Sequence, residues 1–223
     1  MKTNDTLKVA EVFFSIQGES TYAGKPCVFI RLSGCNLRCV YCDTTYAYEE
    51  GRMMAMKEII RKAASFDCRT VEITGGEPLL QEPTPDLLKT LCDQNYEVLL
   101  ETNGSRSLKN VDTRVVRIMD IKTPGSGMET CNDWNNLEWL TPQDEIKFVI
   151  TDWNDYEWVK QIINRYPLIK KIQAVLLSPA HGKIEPLRLA ERIISDRLHA
   201  IVPNLRFQLQ LHKYIWPANT RGK

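Results

Sequence analysis

Six short apolar runs in this chain each end in, or just before, a polar or glycine-rich cluster. Thr74-Gly75-Gly76-Glu77-Pro78 follows the run Val71–Ile73, Glu101-Thr102-Asn103-Gly104 follows Tyr96–Leu100, and Asp120-Ile121-Lys122 closes Val115–Ile121. Thr151-Asp152 follows Glu145–Ile150, Ser178-Pro179 follows Lys171–Leu177, and His212-Lys213 follows Leu205–Leu211. Helical spacing separates many of these runs. Met56–Ala64 sets Ile59, Ile60 and Ala63 on one face, Pro85–Cys92 sets Leu87, Leu88 and Leu91, and Tyr156–Asn164 sets Trp158, Val159, Ile162 and Ile163. Leu187–Leu198 places Leu187, Ala190, Ile194 and Leu198 at helical intervals. Alternating strands and helices specify an α/β protein with a mostly parallel sheet. In such sheets the C-terminal edge of the strands carries the active site. About six parallel strands are too few for a closed eight-stranded barrel. The expected fold is a partial, open (β/α) barrel, with a doubly wound sheet as the alternative. Two earlier runs, Val9–Ile16 and Cys27–Leu32, read as strands joined by a turn at Tyr22-Ala23-Gly24, and Thr123–Asp133 reads as a loop.

Composition narrows the class of partner. A formal net charge of +1 gives no global basic footprint for nucleic acid. No run of about 18 apolar residues marks a membrane span. Met1–Val9 is polar and mixed in charge, without the apolar centre of a signal peptide, so a cytoplasmic location is expected. No linker, repeat or low-complexity segment divides the chain, and residues 1–223 read as a single domain.

Cysteine usage points to chemistry. Four of the seven cysteines, Cys27, Cys35, Cys39 and Cys42, crowd together, and in a reducing compartment such a set reads as metal-binding or catalytic before it reads as disulfide. Cys35, Cys39 and Cys42 are spaced C-x3-C-x2-C. Three thiolates can hold three corners of a [4Fe–4S] cubane, and the fourth iron then keeps an open position for a small chelating ligand. The spacing alone also allows a zinc site with Cys27 or a distant histidine as fourth ligand. Against zinc, a second C-x2-4-C or Cys/His pair is lacking, and His181, His199 and His212 are isolated.

The cysteine loop together with Thr74-Gly75-Gly76-Glu77-Pro78 resembles the radical S-adenosylmethionine (SAM) superfamily. That resemblance implies an open iron chelating the methionine end of S-adenosyl-L-methionine, the Gly76-Glu77 turn holding its ammonium, and Tyr41 against the adenine. Asp43, Glu101 and Asp120-Ile121-Lys122 would complete the cofactor site, beside Cys42.

The segments Phe14-Ser15-Ile16-Gln17-Gly18-Glu19-Ser20, Phe29-Ile30-Arg31-Leu32-Ser33-Gly34-Cys35, Cys42-Asp43-Thr44 and Gln210-Leu211-His212-Lys213-Tyr214 resemble, within that superfamily, the 7-carboxy-7-deazaguanine synthases. The resemblance implies ring contraction of 6-carboxy-5,6,7,8-tetrahydropterin with loss of ammonia, in queuosine-type 7-deazapurine synthesis. It also implies Mg2+, a homodimer and an external one-electron donor such as a flavodoxin or ferredoxin. Arg31 interrupts an apolar run, and its fork suits the substrate carboxylate or, alternatively, a structural carboxylate. Thr44 is the implied Mg2+ ligand, or else a turn cap. Ile16, Gln17 and Gly18 would read the pterin edge, Gln17 through its amide, with Thr74 and His212 as further contacts. Alternation along Leu205–Leu211 puts Arg206, Gln208, Gln210 and His212 on a polar face. Residues after Tyr214 extend past the point where some relatives end and receive no role. Two other readings remain: a glycyl-radical activating enzyme, and a zinc or iron–sulfur scaffold without catalysis.

Overall fold

A computed structural model of the chain describes residues 5–217 and 220–222. The first four residues of the polar N-terminal stretch, and residues 218, 219 and 223 of the C-terminal extension, lie outside the described residues. Nine strands form one sheet: β1 (Thr6–Ile16), β2 (Pro26–Leu32), β3 (Arg52–Ala55), β4 (Thr70–Gly75), β5 (Glu97–Thr102), β6 (Val116–Asp120), β7 (Glu145–Ile150), β8 (Ala174–Pro179) and β9 (Leu205–Phe207). Their spatial order is β3-β1-β2-β4-β5-β6-β7-β8-β9. From β2 through β9 every neighbouring pair is parallel, while β1 runs antiparallel to both β2 and β3. The two edges, β3 and β9, do not pair with each other, so the sheet is an open partial barrel. The parallel part holds one strand more than the six clusters suggested, because β2, which ends at the cysteine loop, joins it.

Side chains alternate across each strand, and here the two faces differ in chemistry. On β4, Val71 and Ile73 enter the main apolar core, whereas Glu72 and Thr74 line a cavity. On β7, Ile146, Phe148 and Ile150 enter the core, whereas Lys147 and Val149 face the cavity. Helices α1 (Met56–Ala64), α2 (Thr84–Asp93), α3 (Trp153–Arg165) and α4 (Pro186–Ser195) contribute apolar side chains to that core. A short helix, α5 (His212–Ile215), follows β9.

Three local expectations change. On α4 the buried residues are Leu189 and Ile193; Leu187 and Ile194 are 68% and 72% exposed. The helix offers two apolar stripes, and the one carrying Leu189 and Ile193 packs. The last strand stops at Phe207 rather than Leu211, and Phe207 is itself exposed. Gln208 and Gln210 still turn inward, toward Glu19. Between residues 123 and 133 the expected loop contains two single-turn 3-10 segments, Pro124–Ser126 and Glu129–Cys131. Strand β3 gave no sequence signal because four residues are too short to show alternation.

Truncating Leu189 to Ala therefore removes about 2–5 kcal/mol of stability, whereas Leu187→Ala changes it by no more than about 0.5 kcal/mol. Paired denaturant titrations check this difference.

Candidate active site

The cysteine loop leaves β2 through Gly34, whose φ of +96° favours glycine. Backbone bonds fix the loop from three sides. Gly34 donates to Ala47 at 2.8 Å, Glu77 N–H donates to Gly34 at 2.8 Å, and Val40 donates to Ser126 at 3.2 Å. Arg38 folds back onto the carbonyls of Cys35 and Leu37 at 2.8 and 2.7 Å. The close approach of the 75–76 turn needs glycine: a Cβ on Gly76 would lie 2.7 Å from the Cys35 Cβ.

Cys35, Cys39 and Cys42 are free, partly exposed thiols on the wall of one cavity of about 450 Å3 at the C-terminal edge of the sheet. Burial pushes the Cys35 and Cys39 thiols up. Cys27 cannot join them. It sits near the start of β2, five residues before Leu32, which at about 3.3 Å per residue is the opposite end of the strand. Its Sγ donates to the Val28 carbonyl. No three His, Cys, Asp or Glu side chains among the described residues converge on a point that one metal ion could occupy. A tetrahedral zinc needs such convergence, whereas a cubane gives each thiolate its own iron. Three thiols without a fourth protein ligand fit a cluster with one open iron.

The wall next to the thiols fits a polar cofactor. Tyr41 Oη and Asp120 Oδ1 are buried there without a partner, and each leaves a hydrogen-bonding position open to a ligand. Lys122 Nζ holds the other Asp120 oxygen at 2.9 Å and lies 5.8 Å from the Tyr41 ring centroid. Gly76, Glu101, Asp43 and Thr74 also line the cavity. Two expected cofactor residues do not. Ile121 points its side chain into the apolar core, since it follows Asp120 on the alternate face. Glu77 is fully buried and, instead of meeting an ammonium, binds its own protein. It accepts from Leu79 N at 3.0 Å, Asn103 N at 2.7 Å, and Thr102 Oγ1 at 2.9 and 3.0 Å. Burial pushes its carboxyl up, and these donors pull it back in part.

The expected substrate residues Ile16, Gly18, Arg31, Thr44 and His212 line the same cavity. Arg31 Nε donates to Glu11 at 2.8 Å, and Tyr46 Oη donates to the same Glu11 oxygen at 2.5 Å. The structural carboxylate is thus present, yet it engages only Nε, and the outer edge of the fork has no hydrogen-bond partner among the described residues. Thr44 Oγ1 donates to Asp43 at 2.9 Å and caps nothing, so its lone pairs stay available to a hard cation. Partial burial works against the Asp43 charge, but Lys213, 2.6 Å away, together with the Thr44 hydroxyl holds that carboxyl down at about 2. His212 lies against Gly18, where a Cβ would come within 3.1 Å of its backbone nitrogen. Burial lowers its pKa despite nearby Glu19 and Asp43. The Gln17 amide, expected to read a ligand, is engaged within the protein: its NH2 donates to Glu72 and its oxygen accepts from Glu19 N.

Several cavity residues escaped the sequence reading. Lys147, only 3% exposed, pairs with Glu19, Glu101 and Asp120. Glu72 lies beneath them, and burial followed by the Glu101 charge pushes its carboxyl well up. Both residues break apolar strands at cavity-facing positions, and that alternation was the available signal. Arg221, in the extension, stacks 3.9 Å from the Tyr46 ring centroid and grips Glu50 through two nitrogens at the cavity rim.

Comparison with known proteins agrees with this geometry. The profile of the Radical SAM superfamily matches residues 29–166. The 7-carboxy-7-deazaguanine synthase of Chlorobaculum tepidum is 45% identical over the full length of both chains. That of Koribacter versatilis is 41% identical, over 97% of this chain and all of the relative. Among solved structures, QueE from Escherichia coli superposes with a TM-score of 0.75 at 22% identity, covering 93% of this chain and 95% of that one.

Anaerobic reconstitution of the wild-type chain yields about four irons per chain. Replacing Cys35, Cys39 or Cys42 with Ala abolishes that loading, while Cys27→Ala retains it. Iron and sulfide analysis with the visible spectrum checks the contrast.

Proposed function

Because the chain belongs to the radical SAM superfamily, and within it to the 7-carboxy-7-deazaguanine synthases, it is a radical enzyme making 7-carboxy-7-deazaguanine, and we propose that one cavity holds its cluster, cofactor and pterin together. The observation that carries the reading is the meeting, on one cavity wall, of three free thiols with no fourth protein ligand and the unpartnered Tyr41 and Asp120 oxygens. The family assignment removes both the glycyl-radical activating and the non-catalytic scaffold alternatives. The substrate is 6-carboxy-5,6,7,8-tetrahydropterin, contracted with loss of ammonia on the route to queuosine-type 7-deazapurines.

Cys35, Cys39 and Cys42 would hold the cluster, which would supply the electron for reductive cleavage of S-adenosylmethionine. The chain's own residues bind and orient. Tyr41, Gly76, Glu101, Asp120 and Lys122 hold the cofactor. The outer nitrogens of Arg31 receive the pterin carboxylate while Glu11 fixes the guanidinium plane through Nε. Thr74 and His212 add hydrogen bonds to the ring. His212, its pKa lowered by burial, serves as a neutral imidazole near neutral pH. Thr44 would supply one oxygen to Mg2+, with Asp43 orienting that hydroxyl. Residues 1–223 act as one catalytic unit, paired in a homodimer, reduced by a flavodoxin- or ferredoxin-type donor in the cytoplasm. No helix of the described residues is long and apolar enough to cross a membrane.

Reduced, reconstituted protein incubated with the carboxytetrahydropterin, S-adenosylmethionine and Mg2+ produces 7-carboxy-7-deazaguanine by mass spectrometry. Absence of that product would sink the reading. Thr44→Ala lowers the rate about 10- to 100-fold and weakens its response to added Mg2+. An unchanged Mg2+ titration removes Thr44 from the metal site.

A further inference from the structure

One side chain joins two groups of residues that line the cavity: Glu101 from β5 and Asp120 from β6, on the side read above as the cofactor wall, and the 16–19 segment ending in Glu19, on the side read as the substrate wall. Lys147, on β7, points between them. Its Nζ lies 2.8 Å from Glu19 Oε2 and 3.6 Å from Asp120 Oδ2, and it also pairs with Glu101. The contacts continue on both sides. Glu101 accepts from Thr74 Oγ1 at 3.1 Å. Glu19 accepts from Gln210 at 2.9 Å and Gln208 at 3.3 Å, which ties in the segment leading to His212. Leu211 N–H donates to the Gly18 carbonyl at 3.0 Å.

Asp120 does not depend on this cation, since Lys122 holds it at 2.9 Å. Glu19 and Glu101 do: among the described residues Lys147 is the one cation paired with either. A neutral side chain at position 147 leaves those two carboxylates facing each other across the cavity floor, and they separate. The cluster loop is unaffected, because Glu77, Arg38 and the Ala47 carbonyl hold it independently.

Resting on the functional reading above, we propose that Lys147 is a positioning residue that sets the distance between the cofactor and substrate walls. It thereby couples cofactor cleavage to product formation without touching the reacting atoms. In the coupled reaction each adenosyl radical meets the substrate at a fixed separation. When the walls drift, the adenosyl radical instead takes an electron from the external one-electron donor and a proton from water, and 5′-deoxyadenosine accumulates without product. A displacement of about 1 Å costs on the order of 100-fold in rate.

The test compares reconstituted wild type, Lys147→Met and Lys147→Arg, measuring both 5′-deoxyadenosine and 7-carboxy-7-deazaguanine over time. In Lys147→Met, product formation falls about 100-fold and the 5′-deoxyadenosine-to-product ratio rises about tenfold or more. Lys147→Arg keeps the charge with a longer side chain and shows a smaller rise. A purely structural role would lower both yields together, so an unchanged ratio in both variants overturns the inference. If Lys147→Met does not fold, Lys147→Arg and Glu19→Gln decide: a wild-type ratio in both overturns it, and a raised ratio in either supports it. Wild-type protein that yields no product fails the functional reading instead.

Discussion

A single buried carboxylate holds the reactive edge of this sheet together. Glu77 has no exposed surface and accepts from three donors at the exits of β4 and β5, while its own N–H donates to the carbonyl just before Cys35. A buried carboxylate without donors would cost several kcal/mol, so each of these bonds is obligatory. The cysteine loop, the glycine turn and the 102–104 turn are therefore placed relative to one another by one residue. The glycines serve the same end. Gly75, with φ of +144°, and Gly76 let the turn come close enough to Leu32 and Cys35 for Glu77 to reach.

Beyond that clamp the cavity wall is a charge-balanced shell. Lys147 and Lys122 stand among Glu19, Glu101 and Asp120. Burial works against the Lys147, Lys122 and Glu19 charges, yet attraction to their partners wins. The Lys147 ammonium pKa moves well up and the Glu19 carboxyl moves down. Each shift stabilises the charged form in the folded chain. Glu19's contribution is present above its unfolded pKa and is lost as pH falls through its lower folded value. Lys147's is present below its unfolded pKa and is lost as pH rises through its higher folded value. Near neutral pH both are in place. Glu72 lacks a cation of its own and stays protonated more readily, which lowers the negative charge the shell must hold.

How much of this could be read from residues alone follows the physics of each signal. The cysteine spacing, the glycine turn and the polar strand ends are local patterns, and Cys35, Cys39, Cys42, Tyr41, Arg31, Thr44, Thr74 and His212 all reach the cavity. Helix α4 was read on the wrong face because Leu187 and Ile194 (i, i+7) and Leu189 and Ile193 (i, i+4) are both helical spacings, and only the sheet decides which stripe packs. Glu77 and Gln17 were given ligand roles by resemblance of their motifs to the family's, and a motif names a polar residue without showing which partner its side chain takes. Lys147 was passed over inside Glu145–Ile150, a run apolar enough to read as buried on both faces. The break in alternation marks Lys147, but its partners are legible only once the neighbouring strands, with Glu101 and Asp120, are set beside it.

The alternation of β4 to β7 has a consequence for how such a chain changes over generations. Along each strand one set of positions packs against the helices and the other faces the cavity, so stability and chemistry occupy interleaved letters of the same short words. A substitution at Glu72, Thr74, Glu101 or Lys147 alters what the cavity can hold and leaves Val71, Ile73, Leu100 and Phe148 in their packing. Lineages can thus trade one substrate for another while inheriting the same core. That separability gives a physical basis for QueE from Escherichia coli, at 22% identity, sharing this scaffold.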